Sequence, residues 1–345
     1  MIPHSRPTLG DDDGERVARV VRGGHLAQGP EVAAFERGLA ERMGVAAAAA
    51  VSSGSAALEL ALRALDVGPG HEVIIPTYAC DALYHAVTRC GAAAVLADAD
   101  PDTLGLSTAD VARRRTVHTR AVVVVHPFGL AVDVADFERL GVALVEDCAQ
   151  TLGAVLGGRP VGTRGGLAVC SFYATKLLTT GEGGAVTGRA ELVARARDAR
   201  DYDERHDLAP RFNYKMTDMQ AALGRSQLVR LDAFIARRRA LAARYRTALA
   251  RAPRCRVPSD AGDRHVYHRF VVAVDAPLGP VLSHLERRGV TARRPVFRPI
   301  HRALGLSGYP NAERLWAQSL SLPCYPSLTD AEADTVVTAL LEALA

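Results

Sequence analysis

Seven short apolar runs recur through the first two-thirds of this chain: AAAAAV (46–51), HEVIIP (71–76), AAAVLAD (92–98), RAVVVVHP (120–127), VALVED (142–147), LAVCSF (167–172) and GAVTG (184–188). Amphipathic stretches separate several of them, such as GSAALELALRALDV, where Leu58, Leu62 and Leu65 share one helical face. A strand that alternates apolar and polar residues has one wet face; these runs are apolar throughout, so both faces must be covered. The pattern predicts an α/β fold built on a mostly parallel central sheet. From about Thr217 the character changes. DMQAALGRSQLVRLDAFIARRRALAARYRTALA reads as one long helix with its weak point at Gly224. A strand (VYHRFVVAV), a helix (PLGPVLSHLERRG), an extended piece (VTARRPV) and a last helix (DAEADTVVTALLEALA) follow. We read residues 1–235 as a large α/β domain with an N-terminal arm and 236–345 as a smaller α+β domain.

No run of eighteen apolar residues occurs, and MIPHSRPTLGDDDGER lacks the basic-then-apolar order of a signal peptide, so a cytoplasmic protein is expected. The six cysteines are scattered without a CxxC pair, which excludes a zinc ribbon or disulfide scaffold and predicts buried or semi-buried free thiols. Of 42 lysines and arginines only Lys176 and Lys215 are lysines. The arginines are spread along the chain without interleaved aromatics, which argues against a nucleic-acid surface. Any chemistry needing an amine nucleophile therefore has two candidates.

Three segments carry chemistry. In VSSGSAAL (51–58) a buried strand runs through Ser52, Ser53, Gly54 and Ser55 directly into a helix. That turn offers free N–H groups, hydroxyls and the positive end of a helix dipole to an anion, although it would serve equally as an ordinary N-cap. In VALVEDCAQTLGA, Asp147 falls at the carboxyl end of a parallel strand, where open sheets bind ligands. A carboxylate there can keep a pyridine nitrogen protonated, Ala149 can lie against a flat ring, and Gln150 can reach a phenolic oxygen; the alternative is that Asp147 caps the next turn. In CSFYATKLLTTGEGGAV, Lys176 lies just past a strand end at Ser171 and Phe172, and such a lysine can act as a Schiff-base nucleophile.

SGSAALELAL, DVGPGHEVIIP, EDCAQTLGA, SFYATKLLTTGEGG and FNYKMTDMQAALGRSQL, in that order, resemble successive blocks of the DegT/DnrJ/EryC1/StrS family, and the likeness runs from Gly29-Pro30 to PNAER…LSLPCYPSLT. The resemblance implies a fold-type-I enzyme dependent on pyridoxal 5'-phosphate (PLP), an aminotransferase acting mostly on keto sugars attached to nucleotides. It implies that Lys176 carries PLP and shuttles the proton between cofactor and substrate carbons. Asp147 would pair with the ring nitrogen, Gln150 would sit near the ring hydroxyl, and Gly54, Ser55 and Ser171 would hold the phosphate. Tyr78, in PTYACDA, would stack on the ring face opposite Ala149, and Asn213 would reach the phosphate of a neighbouring subunit, which makes the active unit a homodimer. Glutamate is the expected amino donor. The chain departs from the family pattern in Ser55 for a common threonine, in Cys148 for a common alanine, and in HPFG (126–129), where Phe128 offers no phenolic hydroxyl. TTGEGG resembles members that aminate a C4 ketone.

Alternatives at this stage are a PLP-dependent dehydratase or lyase on a similar sugar, an aminotransferase acting on a keto-cyclitol, and a non-catalytic PLP-binding regulator. Lys215 could meet substrate phosphates or solvent. Arg294, Arg298 and His301 could bind a diphosphate or the donor carboxylate, or lie on the surface. Glu182 could touch substrate or only turn the chain, His126 reads as structural, and Trp316 reads as a core residue of an amphipathic helix.

Overall fold

The computed structural model describes residues 1–252 and 254–345. Each of the seven apolar runs becomes a strand: β1 (Ala47–Val51), β2 (Glu72–Pro76), β3 (Ala93–Ala97), β4 (Thr119–Val125), β5 (Ala143–Asp147) and, after a small hairpin of β6 (Val155–Leu156) and β7 (Arg159–Pro160), β8 (Gly166–Ser171) and β9 (Gly184–Gly188). They form one sheet in the order β1-β9-β8-β5-β4-β2-β3, with β9 alone antiparallel to its neighbours. Val122, Val123 and Val124 are all essentially buried, as a sheet covered on both faces requires. The fold is α/β, and the carboxyl ends of β1, β2, β4, β5 and β8 meet along one edge of the sheet.

The exposed side of β1 needs partners, because an open strand edge leaves its N–H and C=O groups unpaired. Side chains supply them. Glu36, from the helix Pro30–Met43, accepts the Ala50 N–H at 2.8 Å, while Arg200 and Arg197 donate to the carbonyls of Ala50 and Ala48 at 2.6 Å. Both arginines also pair with Glu36, so the buried carboxylate is neutralised where it works.

A second sheet, β10 (Cys255–Arg256), β11 (Phe270–Val274) and β12 (Ser319–Leu322), is antiparallel and carries its own apolar core with the helices Leu278–Arg287 and Asp330–Leu344. The expected strand at 266–274 is shorter, and the extended piece 290–296 forms only isolated bridges, Ile2 with Val290 and Arg293 with Ser321. Ile2 thus packs into the second core, while Ile300, Tyr309 and Leu315 return to the core of the large sheet.

The long helix is broken, but not at Gly224. It comprises Asp218–Val229 and Leu231–Leu249, and the break is at Arg230. Gly224 lies inside the first segment, where a Cβ would stand 2.9 Å from both Phe35 Cε2 and Thr180 Cγ2. The glycine is there for close approach to the helix Pro30–Met43, not for a bend. Gly224→Ala should therefore destabilise the protein by about 1–3 kcal/mol, read as a lowered Tm; an unchanged Tm would contradict this packing.

Candidate active site

Sequence-distant residues converge along the carboxyl edge because the strands that deliver them are parallel. β1 delivers Ser52 to Ser55, β2 delivers Tyr78 and Cys80, β4 delivers Phe128, β5 delivers Asp147 to Gln150, and β8 delivers Ser171 to Lys176. At the end of β1, Ser53 caps the helix Gly54–Ala64, its hydroxyl accepting the Ala56 N–H at 3.1 Å. The N–H groups of Gly54 and Ser55 have no acceptor among the described residues, and both belong to the first turn, where helix geometry leaves donors free. A Cβ on Gly54 would lie 2.8 Å from Ser171 Cβ and 3.1 Å from its hydroxyl. Ser171 thus closes the cradle that Gly54 opens; the N-cap is formed, and it leaves the two free N–H groups facing outward from the turn's start.

Asp147 is 9% exposed, and its Oδ1 accepts the Ala149 N–H at 2.9 Å. Burial pushes its carboxyl above the usual range, while the Ala149 N–H, Lys176 and His126 pull it back. Its neighbour Glu146 points to the other face and accepts four hydrogen bonds: Gly162 N–H at 3.0 Å, Arg164 and Gly165 N–H at 2.7 Å, and His126 Nε2 at 3.1 Å. Burial opposes the charge on Glu146, but His126 and these N–H groups hold its carboxyl below the usual range. His126 Nδ1 accepts the Val132 N–H at 3.1 Å, so His126 is a structural histidine.

Lys176 is half-buried in the turn beyond β8, its N–H bonded to the Tyr173 carbonyl. Desolvation lowers the pKa of its amine, Arg269 adds to that, and Asp147 and Cys80 oppose it. Lys215 has the opposite environment. It pairs with Asp201 at 2.6 Å and Asp203 at 2.5 Å, and these bonds raise its pKa against a desolvation cost. It therefore does not stand free to meet substrate phosphates. Of the two lysines, only Lys176 is set to react as a free amine.

Gln150 Oε1 accepts the Phe128 N–H at 2.9 Å, which leaves its amide nitrogen as the outward donor. Phe128 adopts the left-handed region at φ 56°, an uncommon conformation for an aromatic residue, and is held there at both ends because its carbonyl accepts the Arg269 N–H at 3.0 Å. Tyr78 is 4% exposed, edge-on to Phe128 at 6.3 Å, and burial pushes its hydroxyl up to about 12. Two residues on, Cys80 is exposed rather than buried; desolvation raises its thiol pKa and Asp147 adds to that, while the Ala82 N–H and Lys176 oppose it. All six cysteines are free.

Asn213 is exposed and its side chain makes no hydrogen bond among the described residues. The segment after it lines the β1 turn, Tyr214 accepting the Ser52 N–H at 2.7 Å. Glu182 is an exposed turn residue whose carbonyl accepts from Thr180 and Gln220. His301 is neither superficial nor free: it bonds Thr77 Oγ1 at 2.8 Å and Glu313 at 2.7 Å. Trp316 lies at the edge of the core, half-buried between the guanidinium groups of Arg294 and Arg302. Sequence reasoning missed Cys80, His268 and Arg269. His268 is 6% exposed, has an unpartnered Nδ1, and feels the charge of Lys176, which together with burial pushes its pKa far down. His268 and Arg269 lie just before β11, outside the large sheet, and no spacing ties them to it.

A parallel sheet with a depressed lysine, a buried carboxylate and an anion cradle along its carboxyl edge defines the class of lysine-anchored PLP enzymes of fold type I. The donor set fits that cofactor. The chain matches the model of the DegT/DnrJ/EryC1/StrS aminotransferase family over residues 7–341. It is 36% identical over 331 residues to a GDP-perosamine synthase of Caulobacter vibrioides, covering 90% of this chain and 89% of that one. The fold superposes on DesV of S. venezuelae, solved with a ketimine intermediate, with TM-score 0.90, 36% identity and coverage of 96% and 93%. It also superposes on the PLP form of Spr1654, a putative sugar aminotransferase of Streptococcus pneumoniae, with TM-score 0.93, 25% identity and coverage of 99% and 98%. The chain belongs to the DegT/DnrJ/EryC1/StrS aminotransferase family, and its cofactor is pyridoxal 5'-phosphate.

The pH profile of PLP capture by the cofactor-free protein should follow the neutral Lys176 amine. Its midpoint is expected below the ordinary lysine value of 10.5, and Asp147→Asn, which removes a charge that raises the amine's pKa, should move it lower still. A midpoint at or above 10.5 would contradict the desolvated site.

Proposed function

We propose that this aminotransferase moves an amino group from L-glutamate to a keto group of a nucleotide-linked sugar, in the synthesis of an aminosugar. The observation that carries this reading is the opposed pair Lys176 and Asp147 beside a cradle of free N–H groups. The similarity to a GDP-perosamine synthase supports a nucleotide-linked acceptor. When bound, PLP supplies a carbonyl for the amine and a conjugated ring that accepts electrons. Gly54, Ser55 and Ser171 take its phosphate, the two free N–H groups meeting the anion at the helix dipole. Asp147, anchored through Oδ1, keeps a proton on the ring nitrogen. Gln150 donates from its amide nitrogen to the ring hydroxyl. Lys176 would hold the cofactor and, as a free amine, would hold and move a proton at its Nζ.

Because Tyr78 is buried against Phe128, we place exposed Cys80, rather than Tyr78, on the ring face opposite Ala149. Asn213, exposed in one subunit, reaches the phosphate of a second copy, so the working unit is a homodimer. No helix among the described residues is long and apolar enough to cross a membrane, in keeping with a cytoplasmic enzyme. We also divide the chain at 235/236, within the helix Leu231–Leu249, because Leu231 and Ile235 pack beneath the large sheet whereas Leu241 and Tyr245 pack in the second core.

Glutamate should convert the PLP spectrum to that of the amino form with release of 2-oxoglutarate, and Asp147→Ala should slow this by roughly a hundred-fold or more. A wild-type enzyme whose spectrum ignores glutamate would overturn the donor assignment. Cys80 should be alkylated in the cofactor-free protein and protected in the PLP form, as read by peptide mass; equal labelling would remove Cys80 from the ring face.

A further inference from the structure

The first residues of the chain form an arm that crosses from the second sheet to the helix Asp218–Val229. Ile2 donates to the Gly289 carbonyl at 2.7 Å, His4 bonds Ser321 Oγ at 2.9 Å, and the Thr8 carbonyl accepts from Gln227 Nε2 at 3.1 Å. Near the last of these attachments Arg6, Pro7 and Thr8 line a small, largely enclosed cavity of about 10 Å³, walled also by Lys176, Gln227 and Arg238. None of Gly54, Ser55, Asp147, Gln150 or Ser171 reaches it, so it is separate from the cofactor cradle.

Two of the lining residues carry a buried polar atom without a partner, Arg238 at Nε and Thr8 at Oγ1. Other polar groups of the wall are spent. Gln227 gives its amide nitrogen to Thr8 and Asp13, and Thr179 accepts the Gly181 N–H at 2.9 Å. A buried donor left unpaired is costly, and two orphans around one polar cavity mark a place for a bound particle.

Charge decides what that particle is. Arg238, in the helix Leu231–Leu249, is 3% exposed, and its guanidinium donates only to carbonyls, those of Tyr267, His268 and Cys324. No carboxylate lines the cavity, and neither Arg238 nor Arg6 has one within salt-bridge distance among the described residues. Arg269 lies near enough to repel Arg238: burial lowers its pKa to about 10, and Arg238 and Arg293 add to that. A buried guanidinium without a counter-charge costs free energy that an anion offsets and a water molecule does not. Size sets the second limit. A cavity of about 10 Å³ takes one water-sized particle, which excludes sulfate, phosphate and carboxylates.

We infer that this cavity binds a single monatomic anion of the chloride class, held by Arg238 Nε and the Thr8 hydroxyl. The ion pins the arm to the helix Leu231–Leu249 and completes the wall beside Lys176.

Bromide substitutes for chloride and can be located by its anomalous scattering. Crystals of the PLP-loaded enzyme soaked in sodium bromide should show an anomalous peak within hydrogen-bonding reach of Arg238 Nε and Thr8 Oγ1. In solution, sodium chloride should raise the Tm of the PLP-loaded enzyme above its value in sodium gluconate at equal ionic strength, because gluconate is too large to enter. Thr8→Val keeps the shape and removes the hydroxyl. It should move the chloride dependence of Tm to roughly ten-fold higher concentration. An empty cavity, or ordered density there with no anomalous signal, would overturn the inference. So would a Tm indifferent to the exchange of chloride for gluconate, or a chloride dependence unchanged in Thr8→Val. The bromide experiment is made on the wild type and decides the matter even if Thr8→Val does not fold.

Discussion

Two adjacent carboxylates at the end of β5 set the terms for the rest of the site. Alternation along a strand sends neighbouring side chains to opposite faces, so Glu146 and Asp147 meet different worlds. Glu146 is saturated by four donors and its charge is stabilised; it fastens the strand end to the 162–165 loop and to His126. Asp147 receives one donor and is pushed toward its protonated form. A carboxylate so placed gains by acquiring a cationic partner, and a protonated ring nitrogen is such a partner. The structural acid fixes the chemical one.

The same logic separates the lysines. Two aspartates hold the charge on Lys215, whereas burial withdraws it from Lys176. Arginine cannot take the role of Lys176, because guanidinium stays protonated. A chain this rich in arginine and poor in lysine therefore offers a desolvated amine at one position. The backbone around that position is equally fixed: Ser171 closes on Gly54, and Phe128 is locked at both ends between Gln150 and Arg269.

The central sheet was legible because a strand buried on both faces has no polar residues to interrupt it, as in RAVVVVHP. That Asp147, Lys176 and the Gly54 turn lie along one edge was legible because a parallel sheet brings its strand ends together. The break at Arg230 was not, since Gly224 carries the stronger helix-breaking signal; contact with Phe35 decides its role, and that contact is made across the fold. Cys80 escaped notice beside the more conspicuous Tyr78. His268 and Arg269 escaped because they precede β11, outside the large sheet, and in a chain full of arginines composition gives no sign of which ones lack partners.

We propose that Lys176, and not Lys215, anchors the cofactor. Reduction of the PLP-loaded enzyme with borohydride fixes the cofactor to whichever lysine holds it, and peptide mass mapping then locates the pyridoxyl group. The pyridoxyl group is expected on the peptide containing Lys176 and nowhere else. A pyridoxyl group on Lys215, or on neither lysine, would contradict it.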